Sequence, residues 1–415
     1  MKHITLEEWE KKYIVGPLQR FNQKMDMFKR CRWDPTAGWE PGKPSYLDMA
    51  VGEYLPKEKA GFTLQDLALR QAATWGIRMR SAYFSPRNLE SAPELPPGIV
   101  DDSLSHRMRS ADSSTEDLKI TPGSGKKTKL DTSDLQKVTR DIKKVARYFG
   151  ADLVGITELD KQWLYSHTYN AHTRESKPLE LPEEYKYIIV MAFAKDYDML
   201  RYPLTYTADA TAGMGYSKMA TTSTYLAQFI KMIGYQAIPC SNDTAPSIPL
   251  AMRAGLGELG RNGLLITPEF GPRVRLAKVL TDLPLAADTP IEFGVTEFCS
   301  KCEICADSCP SQALMHGEQT DKPNSVSNTT GVLKWPIHAE RCLKFWASAK
   351  RPCHLCVSTC PFNKQMDWFH QTVLWFVDHV RWADPFYVKM DKLLGYGKPA
   401  KAKDFWGKWQ PKTEV

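Results

Sequence analysis

The chain has 415 residues, of which 42% are hydrophobic, 25% charged and 11% aromatic. That is enough to bury two or three cores and excludes a disordered chain. The net charge of +7 comes from 55 basic and 48 acidic residues spread along the sequence, without the concentrated Lys/Arg stripe of a nucleic-acid groove.

Met1–Arg30 is charged and lacks both the apolar core of a signal peptide and an Arg-Arg pair. Either a cytoplasmic protein or a mature form without its export signal fits this. Residues 1–130 read as an irregular N-terminal region rich in Pro, Trp and Arg. Trp33, Trp39, Trp75 and Trp346 are candidates to line an aromatic pocket, with plain core packing as the alternative. Asp112–Thr132, containing Pro122-Gly123-Ser124-Gly125 and the Lys126–Lys129 run, reads as an exposed linker.

Residues 131–290 read as a regular α/β layer. Ser133 and Gln136 form a capping box. Leu135, Val138, Ile142, Val145 and Phe149 share one helical face, and Gly150 ends that helix. Ala151–Thr157 and Tyr185–Phe193 are predicted strands. Ser217–Ile233 is a predicted helix with Met219, Leu226, Phe229, Ile230 and Ile233 facing inward. Tyr235–Pro239 and Val274–Leu280 are further strands. The segment 366–415 is rich in Trp, Phe and Lys. Its best apolar run, Val373–Val377, stops at Asp378, far short of the roughly 18 residues of a membrane span.

Residues 291–365 hold eight of the ten cysteines. The first motif is Cys299-x2-Cys302-x2-Cys305-x3-Cys309-Pro310, the bacterial ferredoxin run. Three closely spaced thiolates reach three irons of a cubane, while the fourth points to a second cluster. The second motif, Cys342-x10-Cys353-x2-Cys356-x3-Cys360-Pro361, keeps the same ending but moves its first cysteine upstream. The crossing rule groups Cys299, Cys302, Cys305 and Cys360 on one [4Fe–4S] cluster and Cys309, Cys342, Cys353 and Cys356 on the other. Zinc also takes four thiolates, but its sites rarely show paired proline-terminated runs. Cys31 and Cys240 stand alone and read as small buried hydrophobes. Two adjacent clusters form an electron wire, and a chain this long should hold the wire's terminus as well.

From about Ser133 to Gly397 the sequence resembles the corrinoid-dependent reductive dehalogenases. The most specific stretches are Ala254-Gly-Leu-Gly-Glu-Leu-Gly-Arg-Asn-Gly-Leu-Leu-Ile-Thr-Pro-Glu-Phe-Gly271, Thr281-Asp-Leu-Pro-Leu285 and Phe293-Gly-Val-Thr-Glu-Phe-Cys299. The resemblance implies a nitroreductase-like α/β (α+β) core that binds a cobamide, with an appended ferredoxin-like domain carrying two [4Fe–4S] clusters. It implies a base-off corrinoid, and no Asp-x-His-x-x-Gly motif is present. Glycine-rich turns would admit the cofactor's phosphate tail, which makes Gly255, Gly257, Gly260, Arg261, Asn262 and Gly263 candidate cofactor contacts.

The resemblance further implies a tyrosine proton donor near an arginine and an asparagine. Tyr216 in Gly213-Met-Gly-Tyr-Ser217, Asn242 and Arg275 match these positions, with Arg273 the nearest competitor for the arginine. Just before a predicted helix, Tyr216 would gain from the helix dipole as it becomes phenolate, and a guanidinium would help further. The plainer readings are a core aromatic, a turn residue and a surface strand residue. The implied activity is organohalide reduction, with attack at carbon or at halogen left open. The implied partners are a small apolar organohalide, a small integral-membrane anchor protein and a membrane electron donor, with a homodimer allowed and no nucleic acid. Export by a twin-arginine signal absent from this chain would place it at the extracytoplasmic membrane face. An epoxyqueuosine reductase shares the core and the clusters but should carry a carboxylate at Tyr216. A non-catalytic electron carrier would explain the clusters alone.

Overall fold

The computed structural model describes residues 1–51, 55–74, 129–170, 173–365 and 367–409. Trp75 and most of the Asp112–Thr132 segment lie outside the described residues.

Four strands, β1 (Leu153–Glu158), β2 (Tyr187–Ala194), β3 (Ala237–Cys240) and β4 (Val274–Thr281), form one sheet in the order β1-β2-β4-β3. Every neighbouring pair is antiparallel, so the layered fold is of the α+β kind. Successive side chains leave opposite faces of a strand, and both faces are covered here. Ile189, Met191, Phe193, Ala277 and Val279 pack under helices α3 (Leu135–Tyr148) and α4 (Tyr206–Met232). Ile188, Val190, Ala192, Leu276 and Leu280 pack on the other face, against α1 (Leu6–Tyr13) and α5 (Ser247–Arg253). Double-sided burial explains why β2 is an unbroken apolar run rather than an alternating one.

Three sequence expectations need correction. The cap of α3 is Asp134, whose Oδ1 accepts the Lys137 N–H at 2.9 Å, while the Ser133 hydroxyl turns to Asp131. The described part of the N-terminal region holds regular helices: α1 opens on a Thr5/Glu8 capping box and α2 (Leu64–Ala73) on a Thr63/Asp66 box. Most consequential is α4, which starts at Tyr206 behind the cap Thr205 and not at Ser217. Gly213 and Gly215 look like helix breakers, yet they lie inside it. A Cβ on Gly213 would fall 2.6 Å from Thr74 Cγ2, and one on Gly215 2.8 Å from Arg275 Cγ. Close approach of α2 and β4 demands glycine there and offsets its low helix propensity of about 1 kcal/mol.

The cysteine region consists of the short helices α6 (Val295–Lys301), α7 (Ile304–Asp307), α8 (Ala339–Ala349) and α9 (Leu355–Ser358). Lys2–His3 pairs with Ile291–Glu292 and ties the N-terminus to the start of this region. Beyond it come α10 (Trp368–His379) and α11 (Asp384–Leu394), whose Val377 and Val388 pack on Phe298 and Ile304, and a last short helix, Phe405–Lys408. Among the described residues no helix is long and apolar enough to cross a membrane.

Candidate active site

Tyr216 lies well inside α4, on the face turned to the sheet, where it packs at the edge of the α3/α4 core. The N-terminal dipole expected to act on it is therefore too remote, since that effect fades within the first turn. Side chains from β4 and from the loop after β3 take its place. Arg275 Nη1 donates to the phenol oxygen at 2.9 Å, and the guanidinium carbon lies 4.0 Å from the ring centroid. Asn242 Nδ2 donates to the same oxygen at 3.3 Å. The three residues that the resemblance pairs thus converge on one atom. Neither partner takes up the phenol proton, because both contacts come from N–H donors.

More positive charge surrounds this trio. Lys195 directly follows β2, and its backbone N–H donates to Arg273 O at 2.7 Å. Burial pushes the Lys195 ammonium down to about 7, helped by repulsion from Arg275 and opposed by Cys356. Arg273 is held down to about 10 by burial. His354, buried between Cys353 and Cys356, is pushed down to about 3 by burial and then by Lys195, so it is neutral. Four buried polar atoms here lack any protein hydrogen-bond partner: Ser241 Oγ, Arg273 Nε, Arg275 Nε and His354 Nε2. Each such atom costs about 1–3 kcal/mol if nothing meets it. Their grouping fits a large polar ligand between the sheet and the cysteine region.

The cysteines fall into two sets. Cys299, Cys302, Cys305 and Cys360 line one cavity together with Gly260, Arg261, Asn262 and Phe298. Cys342 is raised to about 12 by burial and then by Cys356, Cys353 and Cys309. Cys309 also acts on Cys353 and Cys356. This is the crossed grouping, with each run contributing one cysteine to the other set. Burial pushes the Cys299 thiol up to about 12 and the Cys302 thiol to about 11. Such crowded, desolvated thiols cannot ionise unaided. A bound cationic metal would deprotonate them, so the donor set fits iron–sulfur clusters. The second set lies beside the tyrosine, since Cys356 and Arg275 both act on Lys195. Cys31 and Cys240 are buried core residues, as expected.

The glycine-rich segment does something other than expected. Arg261 is almost wholly buried, and its guanidinium donates to the carbonyls of Cys299 (2.7 Å), Cys302 (3.0 Å), Met315 (2.8 Å) and Gly317 (3.0 Å). Asn262 Nδ2 reaches Cys356 O at 3.3 Å. These two side chains brace the loops of both cysteine sets, which leaves their donors engaged with protein and not with a cofactor tail. Gly255, Gly257, Gly260 and Gly263 are closed off in the same way by Thr289, Ile266 and Ile337; a Cβ on Gly257 would sit 2.0 Å from Ile266 O. Of the tryptophans, Trp33 stacks under Lys24, Trp39 under Arg174, and Trp346 packs on Phe28.

Sequence reasoning missed Lys278. It is a fully buried lysine in the middle of β4 that binds the loop carrying Asn242. Its signal was available: a lysine inside the otherwise apolar run Leu276–Leu280.

Two crossed four-cysteine sets against an antiparallel α+β core define a two-cluster iron–sulfur protein with a tyrosine-centred site. The profile of a 4Fe-4S double cluster binding domain matches residues 298–363. The tetrachloroethene reductive dehalogenase of Sulfurospirillum multivorans is 38% identical over 301 residues, covering 66% of this chain and 60% of that protein. The enzyme of the same description from Desulfitobacterium hafniense is 37% identical over 322 residues, covering 65% and 58%. The chain thus spans about 60% of the length of these curated relatives. In structure it resembles the catabolic reductive dehalogenase NpRdhA in complex with 3-bromo-4-hydroxybenzoic acid. The TM-score is 0.64 at 22% identity, over 96% of this chain and 49% of that one. Over about two thirds of its length the chain is thus similar in sequence to reductive dehalogenases.

Proposed function

We propose that this chain catalyses reductive dehalogenation, replacing halogen by hydrogen or eliminating halide in a small apolar organohalide, as the names of its relatives suggest. The observation that carries this reading is the convergence of Arg275 and Asn242 on the Tyr216 oxygen. Such an arrangement holds a proton ready and stabilises the phenolate left behind. A base-off cobamide is the proposed cofactor at this site. It would supply, as Co(I), the reduction of the carbon–halogen bond, at carbon or at halogen.

Cys299, Cys302, Cys305 and Cys360 would hold one [4Fe–4S] cluster, and Cys309, Cys342, Cys353 and Cys356 the other. Ser241, Arg273 and His354 would meet polar groups of the cobamide with their unpaired atoms. Arg275 orients the phenol, Asn242 fixes it from the other side, and Tyr216 gives its proton to the carbon that loses halogen. Tyr216 and Arg275 are half-buried and Asn242 is exposed, so a cofactor and substrate bound over them would exclude bulk water and strengthen each of these contacts. We further propose an extracytoplasmic, membrane-associated setting reached through a twin-arginine signal, with a small membrane anchor protein and a membrane electron donor. A genomic reading frame that starts at this Met1 would place the protein in the cytoplasm instead.

The test has two parts. Purified protein should contain about eight iron and eight acid-labile sulfur per chain, and should take up one cobalt with cobamide. Loaded with cobamide and given reduced viologen, it should release halide from members of a panel of chlorinated and brominated compounds, tetrachloroethene among them. Stoichiometric zinc with little iron, or no halide from any compound at full cobalt occupancy, would refute the proposal.

A further inference from the structure

We infer that Lys278 is a positioning residue, a buried ammonium clamp that sets Asn242 against Tyr216. The inference rests on the reading of Tyr216 given above.

Lys278 lies in the middle of β4 and is fully buried. Its neighbours Leu276, Ala277, Val279 and Leu280 are all buried and apolar. A lysine at such a place is costly, because burial disfavours its charged form, and burial does lower this ammonium's pKa. Among the described residues no carboxylate bonds to it, although the Asp243 carboxylate nearby favours its charged form. Three oxygens accept its hydrogen bonds: Ser241 O at 2.6 Å, Ala245 O at 2.9 Å and Ser247 Oγ at 2.8 Å. An ammonium has three N–H donors, so each has one acceptor. All three hydrogen bonds of the ammonium go to neutral oxygens.

All three acceptors come from one segment, and that segment carries Asn242. Lys278 pairs in register with Cys240, the last residue of β3. From there its side chain reaches over the turn that follows and ties the turn's beginning, its end and the first residue of α5 to the sheet. The turn is tight. Asp243 Oδ1 accepts the Ser241 N–H at 2.6 Å, the Ala245 N–H donates to Asp243 O at 2.7 Å, and Thr244 sits at φ 69°. Asn242 itself is exposed, and none of the three oxygens that meet Lys278 belongs to it. Its amide would swing freely if the turn were loose. Pinned on both sides, the turn delivers that amide to the phenol oxygen 3.3 Å away. Arg275, three residues before Lys278, reaches the same oxygen from the other face of the strand. One strand therefore sets both donors to Tyr216, Arg275 directly and Asn242 through Lys278.

The experiment uses the whole chain with its clusters and cobamide. Lys278→Met keeps the length of the side chain and removes the three donors. Amide hydrogen exchange in the segment 241–247 should rise severalfold, while exchange in β2 and in the cysteine region stays unchanged. Turnover should fall about tenfold with KM unchanged, the size of one lost positioning contact. In the Asn242→Ala background, Lys278→Met should cost nothing further. Equal losses in both backgrounds would mean a merely structural role and overturn the inference, as would unchanged exchange in 241–247. If Lys278→Met does not fold, Ser247→Ala removes one acceptor of three and must raise exchange in the same segment; no change there overturns the clamp. The reading of Tyr216 fails separately, through wild-type turnover of Tyr216→Phe, and the exchange data then decide the clamp by themselves.

Discussion

Replacing Tyr216 by Phe tests the proposed chemistry most directly. The substitution deletes one oxygen and keeps the ring that packs at the edge of the α3/α4 core. That oxygen has two partners, Arg275 Nη1 at 2.9 Å and Asn242 Nδ2 at 3.3 Å. A neutral hydrogen bond contributes about 0.5–1.5 kcal/mol net, and one to a charged group about 1.5–3. As the phenol becomes phenolate, its bond to Asn242 changes from the first kind to the second, and the Arg275 bond becomes an ion pair. Together they should stabilise proton transfer by about 2–4 kcal/mol, or roughly 30- to 1,000-fold. This agrees with the roughly 10²–10⁴ contributed by a positioned general acid. Tyr216→Phe should lose that factor in halide release, while cluster signals, cobalt occupancy and reduction to Co(I) match wild type. Asn242→Ala should lose about tenfold, and Arg275→Lys more than that but less than removal of the charge, since a point charge replaces a planar fork. The assay is viologen-driven halide release at matched cobamide occupancy. Near-wild-type turnover by Tyr216→Phe would show that the proton comes from water or another side chain, and the convergence of Arg275 and Asn242 would then have no catalytic meaning.

Further expectations concern the rest of the molecule. Cys360→Ala should disturb the cluster whose other three cysteines are Cys299, Cys302 and Cys305, and Cys309→Ala the other one; electron paramagnetic resonance that resolves the two clusters would refute the crossing if each mutation harmed its own run's cluster. Arg261→Gln leaves several of the carbonyls of Cys299, Cys302, Met315 and Gly317 without their donor. At about 1.5–3 kcal/mol per charged hydrogen bond, iron content should fall by about half, with cobamide affinity in titration unchanged; a selective loss of cobamide binding would restore Arg261 to the cofactor. Lys334, whose Nζ donates to Thr329 O at 2.7 Å, is lowered to about 8 by burial from an ordinary value of 10.5. Below pH 8 folding must keep this charge buried, and between pH 8 and 10.5 the unfolded chain holds the proton more tightly, so the penalty disappears as pH rises through that window. Anaerobic denaturation should find Lys334→Met more stable than wild type by about 3 kcal/mol or less below pH 8, converging with it near pH 10.5; a constant gap across that range would contradict the shift.

Some of this was legible in the sequence because its physics is local. A ferredoxin run places three sulfurs within one short loop, so Cys299, Cys302 and Cys305 could be grouped from spacing alone, and the proline-ended repeat extended the grouping to Cys360. The apolar run of β2 and the inward face of α3 were readable for the same reason. Long-range packing was not. Gly213 and Gly215 carry a turn signal in sequence, and only the approach of Thr74 and Arg275 explains why a helix runs through them. Arg261 sits in a glycine-rich stretch that suits a phosphate, but carbonyls about 40 to 55 residues away claim its donors. The trio of Tyr216, Asn242 and Arg275 came from resemblance; no spacing in the sequence brings an α4 residue to a β4 residue.

The charge distribution joins the two halves of the site. Lys195, Arg273 and Arg275 gather at one end of the sheet, and Lys195 senses both Arg275 and Cys356. Two buried cations, Lys195 and Arg273, with the half-buried Arg275 beside them, would weigh against folding if that space stayed empty, although Asp196, Asp152 and Asp198 offset part of this at Arg273. Filled by anionic clusters and a phosphate-bearing cofactor, the same cations become favourable, and they draw electrons toward the cysteine set nearest Tyr216. In the proposed reaction electron and proton delivery would meet at Arg275, which faces the phenol through its Nη1 and leaves its Nε without a protein partner. The buried cationic end of the sheet is therefore best understood as half of a complex whose other half is the cofactor set, and its cost in the bare chain is the physical reason to expect cofactor binding and final packing to be coupled.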